Sequence, residues 1–199
     1  MKRKRCEIKE KEALEAILAE GRVGRMATTG ADGYPYITPV NYVYHDGSIY
    51  FHCAPAGEKI DNLKRDPRVC FEVDIPLAYL DLDYYGENPE GCGVTQFYQS
   101  VIIRGRAEIV VDLDEKVAAL NRLVASHEKP GRPFQPIDAD TRAVHLCEVV
   151  AVRIERISGK QELAQNKSQD EKRKLSTYLQ DRGLPGDGEA ARLIGGGSW

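Results

Sequence analysis

No stretch of this chain stays apolar for anything near the roughly 20 residues that a membrane-crossing helix needs. The basic opening Met1-Lys2-Arg3-Lys4-Arg5 is followed by no apolar export segment. A soluble, cytoplasmic protein with no membrane partner is therefore expected. Cysteine is scarce and odd in number: five, at 6, 53, 70, 92 and 147, with no Cys-x-x-Cys pair. That excludes a disulfide framework and a structural zinc site. Positive charge is not in excess either, the net charge being -3, so nothing attracts nucleic acid in general. The short basic run reads as a frayed end. No Gly-x-Gly-x-x-Gly lies between a strand and a helix, which excludes a resident dinucleotide domain. No internal repeat is present. His127 and His145 lack partners at metal-ligand spacing, and Asp81 and Asp83 lack a calcium-loop pattern. No metal site is expected, and those two aspartates read as a solvated loop.

What the chain does have is enough apolar material for one core: 199 residues, 42% of them hydrophobic. Leu14, Ile17 and Leu18 fall at helical spacing, with Gly21 placed to end that helix in a left-handed cap. Strands are expected near 22–29, 36–44, 48–54 and 68–74. Residues 75–97, rich in Pro, Gly and acidic residues, break the rhythm, and a connection of that length reads as a lid or an interface arm. Alternation returns from Ser100 to Val111, with Val101, Ile103, Ala107, Ile109 and Val111 on one face. Asp112 or Asp114 caps a helix with the stripe Val117, Leu120, Leu123 and Val124. A last strand is expected at about 144–157. The organisation is thus a domain over 1–160, with its N-terminal helix, and a helical extension over 161–199 that lies on the surface or on a partner subunit and has a flexible end.

The most informative stretch runs from Gly33 to Lys59. Asp32-Gly33 and Asp46-Gly47 supply turns between runs of Tyr, Val, Ile and Phe, which describes strands joined antiparallel. Pro39 inside the middle run lacks a ladder donor, so that strand is an edge, a bulge or a place where a ligand meets the backbone. After Pro55-Ala56-Gly57, Glu58 to Lys64 reads as a short helix with Ile60 and Leu63 turned inward. Its start lies beside His52 and Lys59, and the free amides and helix dipole favour an anion there. Lys59 is either a phosphate ligand or a solvated surface lysine. His52 is either a proton donor or a structural residue bonded to a carbonyl. Cys53 reads as a small packed residue or a backbone contact, since no base is spaced to activate it.

This pattern resembles the flavin mononucleotide (FMN) binding split barrel of the pyridoxamine 5′-phosphate oxidase-like superfamily, and more narrowly its nitroimidazole-reductase branch. The resemblance is carried by Glu20-Gly21-Arg22-Val23-Gly24-Arg25-Met26-Ala27, Tyr50-Phe51-His52-Cys53-Ala54, Asp66-Pro67-Arg68-Val69-Cys70-Phe71, Tyr98 to Ala107, and Ile157-Ser158-Gly159-Lys160. It implies a mostly β (α+β) fold, a six-stranded antiparallel split β-barrel with flanking helices, pairing as a homodimer with FMN in the groove between subunits. By the same resemblance, Lys59 holds the FMN phosphate, and Thr38, Pro39, Val40 and Asn41 border the flavin ring. Cys53 contacts the cofactor, Ser100 faces it from a later strand, and His52 lies on the substrate side as the catalytic proton donor. Glu58 departs from the pattern, because an arginine commonly stands there. The implied activity is reduction of a small organic acceptor, with a nicotinamide nucleotide as the candidate donor. Two other readings stay open: a haem-binding split barrel with His52 as axial ligand, and a cofactor-binding stress module without turnover.

Overall fold

The computed structural model describes residues 3–197. In chain order its elements are β1 (Glu7–Ile8), α1 (Lys11–Glu20), β2 (Val23–Thr29), β3 (Pro35–Asn41), β4 (Val43–His45), β5 (Ser48–Cys53), α2 (Glu58–Arg65), β6 (Arg68–Leu80), β7 (Thr95–Ile109), α3 (Leu113–His127), α4 (Arg142–Leu146), β8 (Glu148–Glu162), α5 (Gln169–Arg182) and α6 (Asp187–Ile194). The strands form one sheet in the order β3-β2-β6-β7-β8-β5-β4, with β1 added to β8. This is the mostly antiparallel split-barrel arrangement with flanking helices. It has eight strands because the expected strand 36–44 divides at Tyr42 and β1 joins from the N-terminus.

Packing separates the chain into two units that do not follow chain order: one holds the residues up to Ile17, Asp74–Val101 and those from Ser158 onward, the other Leu18–Val73 and Ile102–Ile157. In the second, β2 and β3 pair from Val23↔Asn41 to Thr29↔Pro35, which makes β3 an edge and accommodates Pro39 there. β4 and β5 close through Asp46-Gly47, both at positive φ (46° and 71°), the two-residue hairpin geometry that this dipeptide favours. Tyr42, 1% exposed, donates its hydroxyl to Leu18 O at 2.7 Å and packs edge-on against Phe71. α3 is capped by Asp112, whose carboxylate accepts from Glu115 N at 2.8 Å. It lays Ala119, Leu120 and Leu123 on Val43, Tyr50, Val144, Val149 and Ala151.

The first unit has its own core. Leu175, Leu179, Ala190, Ala191 and Ile194 of α5 and α6 bury against Leu77, Leu80 and Phe97. Arg182 clamps this pair of helices: its guanidinium donates to Asp187 at 2.8 and 2.6 Å and to Asp81 Oδ2 at 2.5 Å, while Tyr178 donates to Asp81 Oδ1 at 2.5 Å.

Several local expectations are corrected. β6 runs on to Leu80 and β7 begins at Thr95, so the irregular connection is shorter than 75–97. The inward alternation of β6 changes phase around Pro76, which is exposed there. Val111 is 93% exposed because β7 ends at Ile109 and Val110 turns inward instead. Residues 142–146 form α4, and the last strand starts at Glu148. Gly21 ends α1 without entering the left-handed region. Asp81 is ion-paired rather than solvated. Met1 and Lys2 lie outside the described residues, but Lys4–Cys6 form a 3-10 turn with Cys6 fully buried, so that part of the basic run is not frayed.

Candidate functional site

The candidate residues lie on β3, on β5 and at the start of α2, the helix that follows β5 in the chain. β5 carries Phe51 inward at 0% exposure, leaves His52 exposed, and returns Cys53 to the interior. Gly57, at φ 121°, turns the chain into α2 in a conformation that side chains other than glycine rarely adopt. No side chain caps α2, so its first amides are left to other acceptors. Ile60 and Leu63 anchor the helix, and buried Asn62 donates to Thr28 Oγ1 at 3.0 Å. Lys59 is thereby held half-buried in the first turn, its ammonium 5.7 Å from the centre of the Phe51 ring. It has no carboxylate partner among the described residues. Glu58 beside it is exposed.

Cys53 pairs with Glu148 across β5 and β8. Burial pushes its thiol pKa up, the Lys59 charge pulls against that, and Glu148 and Cys147 add to the rise. A thiol held neutral in this way is a poor nucleophile.

On β3, Val40 is buried, Thr38 is half-buried, and Pro39 and Asn41 are exposed. The Thr38 hydroxyl oxygen is buried with no hydrogen-bond partner among the described residues. Such an unmet group costs about 1–3 kcal/mol unless something bonds it. Asn41 and His52 come together on the wall of a cavity of about 440 Å³. Its opposite side is the apolar face of α3 with Ile137, Val144 and Cys147. His127, the last residue of α3, also lines it. Its Nε2 lies 3.0 Å from Tyr42 O, a carbonyl that only accepts, so this nitrogen is the donor of the contact. Ser100 is half-buried on β7 and belongs to the first unit, whereas the other candidates all belong to the second.

Sequence reasoning missed the α3 wall and His127. The stripe Leu120, Leu123, Val124 is visible in the sequence, but it announces burial and not what is buried.

Residues 10–161, which hold every candidate above, match the family described as pyridoxamine 5′-phosphate oxidase. The chain belongs to that family. Among solved structures, this pyridoxamine 5′-phosphate oxidase family member is similar to a candidate 5-nitroimidazole antibiotic resistance protein from Bacteroides thetaiotaomicron. The two are 25% identical, with a TM-score of 0.64 over 78% of this chain and 86% of the other. It is also similar to a FAD-binding protein from Mesorhizobium loti, 25% identical, TM-score 0.53, over 77% and 96%. A FAD- and haem-binding protein from Mycobacterium smegmatis shares the fold at 18% identity, TM-score 0.66, over 78% and 73%. A comparison with curated protein sequences found no match. Within the family member, no helix of the described residues is long and apolar enough to cross a membrane.

Proposed function

We propose that this protein is an FMN-binding oxidoreductase that reduces a small organic acceptor. The observations that carry this are two: a half-buried Lys59, with no carboxylate partner among the described residues, in the first turn of a helix that no side chain caps, and a largely apolar cavity lined by Asn41 and by His52 of the strand that leads into that helix. The flavin-binding relatives support a flavin of some kind. The residues fit such a group. Lys59 and the first amides of α2 hold a phosphate, because a fixed cation and unmet donors both favour an anion. The buried Thr38 hydroxyl and the backbone of Thr38 to Asn41 offer polar partners to a heteroaromatic edge. Bound there, a flavin supplies two-electron transfer to an acceptor.

The chain does the rest. The α3 wall and Val144 give the cavity an apolar lining that disfavours water beside the acceptor. His127, whose Nε2 is held by Tyr42 O, and Asn41 can orient a polar group on the acceptor. His52 stands exposed on the cavity wall, where imidazole can deliver a proton to a reduced product. Cavity size restricts the acceptor to a small molecule. The donor is a nicotinamide nucleotide that visits without a dinucleotide domain. The cofactor groove is completed by a second copy of the chain.

The visible spectrum of freshly purified protein tests this reading, followed by reconstitution with FMN and with FAD. Flavin bands and tighter retention of FMN are expected. A Soret band would overturn it in favour of haem on His52, which shares its cavity with a second histidine, His127. A protein that takes up neither would be a module without this chemistry.

A further inference from the structure

A second groove of about 420 Å³ lies in the same unit and shares no lining residue with the His52 cavity. Arg68 on β6, Arg104 on β7 and Arg156 on β8 line it, and all three are exposed. The strands are neighbours in the sheet, in the order β6-β7-β8. Ala107 N donates to Pro67 O at 2.8 Å, and Gly105 approaches the Arg153 backbone so closely that a β-carbon there would overlap its carbonyl oxygen. This close strand packing brings the arginines of three strands to one groove. Arg68 pairs with Asp66 at 2.6 Å. Arg104 and Arg156 have no hydrogen-bond or ion-pair partner among the described residues, and Glu155 is the groove's one lining carboxylate. Cations gathered on one surface repel each other until an anion joins them. A guanidinium fork matches phosphate oxygens in shape as well as charge.

We infer that this groove binds a phosphorylated small molecule of mononucleotide size, with Arg104 and Arg156 taking its phosphate. Ala27, Pro35 and Val69 line the remainder of the groove and offer an apolar surface to the uncharged part of that molecule. Its volume falls within the range of small-ligand sites. The inference stands apart from the flavin reading, because none of these residues belongs to the Lys59 site.

Calorimetric titration of the full chain with ADP, ribose 5-phosphate and adenosine tests it, in the parent, in Arg104→Gln/Arg156→Gln and in Lys59→Ala. ADP should bind the parent and weaken as salt rises, adenosine should not bind, and the double variant should lose about tenfold in ADP affinity. Lys59→Ala should bind ADP as the parent does. ADP tighter than ribose 5-phosphate would support a nucleotide as the ligand, and equal affinities would support a groove that reads the phosphate alone. An absence of ADP binding, binding undiminished in the double variant, or loss on Lys59→Ala alone would overturn the assignment. If the double variant does not fold, Arg104→Lys/Arg156→Lys keeps the charge and loses the fork. It should then bind ADP more weakly than the parent, and parental affinity would count against the site.

Discussion

At the scale of single residues, the proposed site depends on a division of labour between Lys59 and His52. Lys59 is proposed to anchor the phosphate, so Lys59→Ala should weaken FMN binding by about 1.5–3 kcal/mol, the worth of a charge-assisted contact. Fluorescence titration reads this directly, and equal affinity in parent and variant would remove Lys59 from the phosphate. Glu58, exposed beside it, is a like charge to any bound phosphate. Glu58→Arg should therefore tighten binding in the same titration. His52 is assigned to the acceptor, not the anchor. His52→Ala should keep the flavin and slow reduction of a quinone or nitroaromatic acceptor on the order of 10²-fold, the scale of general acid catalysis. Stopped-flow oxidation of the pre-reduced protein across pH 5 to 9 separates the two roles. An unchanged pH profile would make His52 structural, and loss of the flavin would make it a binding residue.

At the scale of elements, the clearest mechanical unit is the α5–α6 pair held by Arg182. Asp187 is fully buried, and its partner's guanidinium holds its carboxyl below the usual carboxylate range. Asp81 is lowered too, first by the Tyr178 hydroxyl and then by Arg182. Because both folded-state values lie below the unfolded ones, the unfolded chain binds more protons in between. The stabilisation is complete above the unfolded carboxylate range and is lost as pH falls through the lowered folded values. Asp187→Ala should cost about 1–3 kcal/mol at neutral pH, since it leaves a half-buried guanidinium with Asp81 as its remaining carboxylate partner. Urea denaturation at pH 7 and pH 3 should show the parent losing more stability on acidification than the variant; equal losses would mean that the clamp carries no linkage. This clamp was invisible in the sequence because Arg182 finds Asp81 101 positions away. The β4–β5 hairpin and α2 were legible, since Asp46-Gly47, Gly57 and the spacing of Ile60 and Leu63 act locally. The reach of β6 was not: Pro76 and its neighbours have loop composition, and only pairing within the sheet holds them extended. The same divide runs through the site. His52 and Lys59 could be singled out from strand and turn chemistry, Asn41 only through the family resemblance, whereas the α3 wall and the His127 contact with Tyr42 depend on tertiary packing.

At the scale of the whole molecule, the edge of the sheet bears on assembly. β3 ends the strand order, and it carries Ile37 at 61% exposure with Tyr34 at 74% just before it. Unpaired strand edges with exposed apolar side chains invite a partner, and proteins that remain single chains ordinarily blunt such edges with charge. Pro39 removes one donor from this edge but adds no charge. A second copy of the chain is the proposed cover, because isologous pairing is the commonest closed arrangement and would set two β3 edges beside two cofactor sites. The protein should then sediment at about twice 22.2 kDa. Ile37→Lys should shift it toward the single chain and lower flavin occupancy in the same sample, because the groove loses its second wall. Sedimentation velocity with absorbance read at both protein and flavin wavelengths follows the two effects together. A parent that runs as a single chain and still retains flavin would break the link between edge pairing and the cofactor. A variant that dissociates with its flavin intact would place the whole binding site within one chain.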